Sequence, residues 1–282
     1  MPKKIRLGLI SYLNTKPLIY PLLTGELKHN FDISLAPPSI LAKSLEAGEI
    51  DIGLIPAIEY ATRKDYLILP DMGLSSMGEV RSVLLYARKP MAEIKSVALD
   101  ESSRASAAMV KILLARRLKE TPKYIQGKPP LSDMLQSADA ALIIGDNALK
   151  PVPTDLYRMD LGAEWKATTG QPFVFALYVA RPVAGLAEAY ATLIKSKEIG
   201  MFRIPQIARV EAERLNLSYE SCLEYLTKCI YYNLSPAKIA GLELYYKMAC
   251  ELHLIKREVT LKFYQKAQEI PLFTPGWRLA NA

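Results

Sequence analysis

The chain has 282 residues, half of them hydrophobic, and a formal net charge of +7. That composition supports a full core and about two domains, and it excludes a disordered or fibrous chain. The positive charge is spread along the sequence without a basic tract, which argues against nucleic-acid binding and leaves a general bias towards anions.

The opening, MPKKIRLGLISYLN, places two lysines before an apolar run that stops at Ile10. The run is too short for a secretory core and has no small-residue cleavage site. No later segment approaches the ~20 unbroken apolar residues of a membrane span, so a cytoplasmic protein without membrane insertion is expected. Ile5 to Ile10 reads as a buried strand, and SYLNTKPL follows directly. Ser11, Asn14, Thr15 and Lys16 would gather at the carboxyl edge of a sheet, with Pro17 opening a helix to Leu23; open α/β sheets bind ligands at such an edge. Asn14 and Thr15 would either cap that helix or offer donors to a small carboxylate.

Ile33 to Ala36 is a second strand, Ser39 starts a helix that Gly48 closes, and Ile50 to Ile55 is a third strand ended by Pro56. After Tyr66 to Leu69 a polar turn is expected at Ser75, Ser76, Met77 and Gly78, then a long apolar strand through Val80 and Val83 to Tyr86. A second βα pattern starts after Lys89-Pro90. Val97 to Leu99 is a strand, and Ser103, Arg104 and Ser106 open a helix with Ala108, Met109, Ile112 and Leu113 at helical spacing. Ala140 to Ile144 is a strand leading to Gly145 and Asp146. A loop is expected around Trp165, Thr168, Thr169 and Gly170, then a strong strand from Phe173 to Ala180. From Gly185 the chain is helical, broken at Pro205 and at Asn233 to Pro236. The pattern implies an α/β protein of two lobes, one formed by 1–89 with 179–282 and the other by 90–178, with a ligand cleft between them.

Loops at Ser11 to Thr15, Ser75 to Ser82, Ser102 to Ser106 and Thr168 to Phe173 would face that cleft. They are rich in hydroxyl groups and backbone donors. Ser103 and Ser106 at a helix start, with Arg104 adding charge, suit a carboxylate; an ordinary capped helix with an exposed arginine is the alternative. Asp146 would pair with a cation, cap a helix or order neighbouring donors. Glu59 and Glu79 are the nearest carboxylates in the first lobe and would be bases only if burial raised their pKa. With only His29 and His253, three cysteines in the helical region and no CxxC pair, neither a metal site nor a Ser-His-Asp triad is expected.

The phrases SYLNTKPL, EIDIGLIPAIEY, SSMGEVRSVLLYARKP, LDESSRASAAMVKILL, ALIIGDNAL and LGAEWKATTGQPFVFALYVAR occur in that order. Together they resemble chorismate dehydratase, the first enzyme of the futalosine route to menaquinone, and EYLTKCIYYNLSPAKIAGLELYYK is similar to that family's C-terminal part. The resemblance implies a two-lobed type II periplasmic-binding-protein-like fold with helical C-terminal region, used as a cofactor-free lyase on chorismate, a small dicarboxylate. It further implies Asn14 and Ser82 as catalytic residues. Ser11, Thr15, Pro56, Ser76, Met77, Gly78, Ser103, Arg104, Ser106, Gly145, Asp146, Thr169, Gly170 and Phe173 would be substrate-binding, with Thr169 and Gly170 closing over the ligand. Met77 and Glu79 depart from the family's pattern, which has a small or acidic residue and a proline there. A plain binding protein or sensor for a small carboxylate shares every loop argument. The sister enzyme that makes 1,4-dihydroxy-6-naphthoate would carry an N-terminal Asp after Asn and a catalytic histidine, which SYLNTKPL does not offer.

Overall fold

The computed structural model describes residues 4–152 and 155–265. Strand β1 (Ile5–Leu9) leads through a 3-10 turn, Leu13–Thr15, into α1 (Lys16–Leu23); β2 (Phe31–Leu35), α2 (Pro38–Ala47), β3 (Ile52–Pro56) and β4 (Leu67–Ser76) follow. Next come β5 (Val83–Ala87), β6 (Ser96–Asp100), α3 (Arg104–Arg117), β7 (Lys123–Gly127), α4 (Leu131–Ser137), β8 (Ala140–Ile144), β9 (Tyr157–Asp160) and α5 (Leu161–Thr169). After β10 (Phe173–Ala180) the chain is helical: α6 (Leu186–Phe202), α7 (Ile204–Leu215), α8 (Tyr219–Glu224) with a π-helical continuation over Tyr225–Cys229, and α9 (Pro236–Glu251).

The strands form two five-stranded sheets, ordered β2-β1-β3-β10-β4 and β7-β6-β8-β5-β9. In the first, β1, β2 and β3 are parallel and β10 runs antiparallel to β3 and β4. In the second, β6, β7 and β8 are parallel and β5 runs antiparallel to β8 and β9. The chain therefore passes between the sheets twice, from β4 to β5 and from α5 to β10. Both passages lie earlier than the punctuation of the sequence suggests. The strand before Lys89-Pro90 belongs to the second sheet and the strand from Phe173 to the first, so boundaries at 89/90 and 178/179 are displaced. Pairing decides this: β5 is buried along its whole length between β8 and β9, and Lys89-Pro90 is only its exit loop. Residues 266–282 of the expected first lobe lie outside the described part.

Two local expectations also change. Ser75 and Ser76 end β4, rather than forming a turn, because Ser75 and Ser76 pair with Val174 and Phe173 of β10. The loop expected around Trp165 is α5, whose first turn is capped by Asp160 accepting from the Ala163 N–H at 3.0 Å and whose end is closed by Gly170 at φ 70°. A glycine at its second position and a threonine pair at its end hide this helix in the sequence. Trp165 is fully buried, edge-on to Phe173 and Tyr245 at 5.0 and 6.0 Å, so packing supplies what propensity lacks. By contrast the αL conformation of Gly48 does close α2 as its sequence implies.

Helix α1, which carries the SYLNTKPL segment, packs against α6. Their approach requires Gly200, since a β-carbon there would overlap the Pro17 carbonyl oxygen, and backbone cannot give way as a side chain can. Gly200→Ala is expected to destabilise the protein by roughly 1–3 kcal/mol through overpacking. Urea unfolding, with Gly185→Ala avoided as a control because its φ of 81° is itself strained, checks this; Glu198→Ala on the same helix is the control and should change stability little.

Candidate active site

A cavity lies between the two sheets, with ≈ 560 Å³ of space free of protein atoms counting its opening to solvent. The first sheet contributes Ile10, Tyr12, Asn14 and Pro56 near the ends of its strands, with Leu74, Phe175 and Ala176. From the other side come Ser103, Ala105 and Ser106 at the start of α3, with Ile144 and Gly145 after β8. The crossing segment adds Val80, Ser82 and Val83, and the helical region adds Ile230. Position explains the choice of elements, because parallel strands in both sheets deliver their carboxyl ends, and the helices that follow, to one place.

The crossing segment is unusually constrained. The Ser82 N–H bonds the Val80 carbonyl at 2.7 Å, and Arg81 between them has a φ of 58°, which together make a tight γ-turn of the strained kind. Asp160 holds it: its carboxylate accepts from the Val80 N–H at 3.1 Å and the Arg81 N–H at 2.7 Å. Arg81 then reaches Glu224 at 2.9 Å and Glu79 at 3.0 Å. Ser82, 1% exposed, accepts a hydrogen bond from the Tyr225 hydroxyl at 2.8 Å.

The Asn14 turn is held from the opposite sheet. Asp146 accepts from the Leu13 N–H at 2.8 Å and pairs with Arg214 at 2.8 Å, so of the three roles open to it, it fills two, cation partner and organiser of donors. Arg214 also meets Glu211, which pairs with Lys16 at 3.1 Å. Lys16 is thereby spent on α7 rather than offered to a ligand. The Asn14 Oδ1 is buried and has no hydrogen-bond partner among the described residues. Gly145 has a φ of 61°, and a β-carbon there would meet the Tyr12 ring at 3.1 Å, so two independent constraints require glycine.

Of the residues singled out in the sequence, Asn14, Pro56, Ser82, Ser103, Ser106 and Gly145 line this cavity, and the others do not. Ser11 lies 3.5 Å from the Lys16 ammonium. The Thr15 hydroxyl, fully buried, closes the turn against the Ile10 and Tyr12 carbonyls at 2.6 and 2.8 Å. Ser76 is buried beside Gly162, Met77 is exposed, and Gly78 has a φ of 145° with open space around it. Thr169 bonds the Trp165 carbonyl at 2.7 Å and Gly170 terminates α5, so both serve the helix end; Phe173 packs on Trp165 and Tyr245. The Ser103 hydroxyl accepts from the Ser106 N–H at 3.3 Å as a helix cap, and Arg104, more than half exposed, pairs with Glu59 at 3.0 Å. Arg104 and Glu59 line a neighbouring pocket that shares Ser103 with the cavity. Burial pushes the Glu59 carboxyl up from its ordinary value, opposed by the Arg104 guanidinium.

Tyr12, Phe175, Tyr225 and Ile230 belong to the site without having been marked in the sequence. Tyr12 stands inside the leading motif, between Ser11 and Leu13. Tyr225 sits 143 residues from its partner Ser82, and it and Ile230 lie in a helical stretch whose pattern signals only packing, where nothing local distinguishes them.

A family model described as menaquinone biosynthesis matches residues 5–251. A chorismate dehydratase of Thermus thermophilus is 30% identical over 256 residues, covering 83% of this chain and 91% of the relative. A chorismate dehydratase of Campylobacter jejuni is 31% identical over 254 residues, covering 88% and 98%. Among solved structures, protein AF1704 from Archaeoglobus fulgidus superposes with a TM-score of 0.70 at 18% identity, covering 89% of this chain and 98% of that one. The periplasmic aliphatic sulphonate binding protein SsuA from Escherichia coli gives 0.60 at 18% identity, covering 92% and 96%. The fold is that of the periplasmic binding proteins, and the chain belongs to the menaquinone-biosynthesis family.

Proposed function

We propose that this protein is a chorismate dehydratase, a hydro-lyase that converts chorismate to 3-[(1-carboxyvinyl)oxy]benzoate and water. The observation that carries the reading is a cavity with Asn14 and Ser82 on its wall and no ionised side chain among its lining residues, in a chain whose relatives bear that name over most of its length. The reaction suits such a wall. The proton at C3 of the ring is allylic to a double bond conjugated with the ring carboxylate, so the carbanion left by its removal is delocalised. Expulsion of the C4 hydroxyl then gives an aromatic ring, which makes the driving force a property of the substrate.

The protein's part is to hold the carboxylates, orient the leaving group and stabilise spreading negative charge. The start of α3 supplies the first item, because the N–H groups of its first turn other than that of Ser106, which Ser103 caps, have no intrahelical acceptor and the dipole favours an anion there. Asn14 and Ser82 supply the others. An amide cannot remove a proton, so the enolpyruvyl carboxylate of the substrate serves as the base. Glu59 is the rival base: it is buried and its carboxyl is pushed up, but its partner is Arg104 and it does not line the cavity. A binding protein of the same fold would bind the same ligand and return it unchanged.

Ultraviolet spectra of chorismate incubated with the protein alone, followed by mass analysis, decide between these: the reading expects loss of the diene absorbance and a product lighter by one water. Unchanged chorismate at micromolar enzyme would leave the binding reading. Asn14→Ala is expected to lower single-turnover rates by about 100-fold or more while calorimetric affinity changes little, because the lost bonds act on the transition state.

Glu59→Gln separates the two candidate bases and also has a pH signature. Its turnover should stay within a few-fold of wild type; complete loss with binding preserved would make Glu59 the base. For stability, a carboxyl raised in the folded state keeps its proton while the unfolded chain loses it, so wild-type stability falls as pH rises from the ordinary glutamate value through the folded one. Glutamine has no such term. Urea unfolding at several pH values should therefore show Glu59→Gln gaining on wild type with rising pH across that window.

A further inference from the structure

Tyr225 does not line the cavity, yet it touches the machinery from behind. Tyr225 is 2% exposed, and its hydroxyl bonds Ser82 Oγ at 2.8 Å. It opens the π-helical segment Tyr225–Cys229, a geometry that tends to occur at functional sites. Two consecutive residues, Glu224 and Tyr225, grip two consecutive residues of the strained turn, Arg81 and Ser82. So much anchoring of one serine exceeds what packing alone needs.

Hydrogen bookkeeping gives the anchoring a purpose. A phenol is a better donor than an aliphatic hydroxyl, and it has one hydrogen to give. When Tyr225 gives it to Ser82 Oγ, the serine keeps its own hydrogen for another acceptor. The Asn14 Oδ1, buried without a partner among the described residues, lines the same cavity as an open acceptor. The pair is thereby presented with opposite polarity, an acceptor at Asn14 and a donor at Ser82. Burial pushes the phenol pKa up, which keeps Tyr225 a donor across the working pH range.

We infer that Tyr225 is a positioning residue that fixes the polarity of Ser82, so that the leaving hydroxyl of the substrate receives the Ser82 hydrogen on its oxygen while its own hydrogen goes to the open acceptor Asn14 Oδ1. The inference rests on the dehydratase reading. As the C4–O bond breaks, negative charge grows on that oxygen and the bond from Ser82 strengthens, which is the differential binding that accelerates a step. The departing oxygen takes the proton that the enolpyruvyl carboxylate removed from C3, so that water leaves and the carboxylate is regenerated.

The test is steady-state and single-turnover kinetics of Tyr225→Phe, which keeps the ring and removes only the hydroxyl. A fall in kcat of about 10- to 100-fold with KM within threefold of wild type is expected, because a freed serine hydroxyl no longer points at the leaving group. A kcat within twofold of wild type, or a rise in KM with kcat kept, overturns the assignment. If Tyr225→Phe fails to fold, Ser82→Ala is compared with the Ser82→Ala, Tyr225→Phe double variant, which leaves neither partner of the bond orphaned. Equal kcat for the two is expected, as Tyr225 acts through Ser82; a further tenfold loss in the double variant overturns it. Wild-type protein that leaves chorismate unchanged strikes the dehydratase reading and this assignment with it, whereas active wild type beside an unimpaired Tyr225→Phe strikes the assignment alone.

Discussion

The Asp160 carboxylate carries the site's geometry. It accepts from three backbone N–H groups, those of Val80, Arg81 and Ala163, and so ties the first passage between the sheets to the start of α5. Charge-assisted bonds of this kind are the stronger class, and here they offset the strain of Arg81 at positive φ. Without that turn the chain would continue from Val80 in extended form, and Ser82 would not face Tyr225. The fit is tight on the other side as well, for a β-carbon at Gly162 would collide with the Gly78 carbonyl.

Asp146 plays the matching part for Asn14. It follows β8 of the second sheet, yet it grips the Leu13 N–H in the turn after β1 of the first. Asn14 and Ser82 on the cavity wall are thus each set by a carboxylate that follows or ends a strand of the second sheet, and the acidic groups near the site work as fasteners. This division of labour accounts for a site in which charge is plentiful nearby and missing from the wall. Lys16, Glu211, Arg214 and Asp146 form one linked network, and Arg104 with Glu59 another.

Much of the fold was legible because hydrophobic runs, prolines and glycines mark strand ends locally. β1, β3, β8 and β10 follow from apolar runs, and α2 and α3 from their caps and spacing. What failed was information held by pairing partners. Nothing within VLLYA says that β5 lies between β8 and β9, so the lobe boundary drifted to the next proline. α5 was missed because Asp160 and the packing of Trp165 stabilise a helix whose own propensity is poor. In the site, Asn14 and Ser82 stand in motifs that are in register with a family, and both line the cavity. Thr15, Thr169 and Gly170 are harder to read, because hydroxyls and glycines at a sheet edge serve turns and helix ends as readily as ligands, and their bonds here are to a turn and a helix end.

The uncharged wall poses an energetic problem whose solution constrains the chemistry. A dicarboxylate leaving water loses hydration worth several kcal/mol per charge unless fixed dipoles replace it. Arginines on the wall would replace it most strongly, but a cation bound close to both carboxylates would also lower the basicity of the one that must take the C3 proton. Backbone N–H groups at the start of α3 would bind an anion with partial charges spread over several atoms, which orients it without imposing a full counter-charge. Arg104 at one residue's remove, occupied by Glu59, leaves that balance undisturbed. The overall charge of +7 acts at longer range, drawing an anion towards the cavity before desolvation begins. Under the proposed mechanism attraction would be supplied outside the cavity and basicity preserved within it, as a base belonging to the substrate requires.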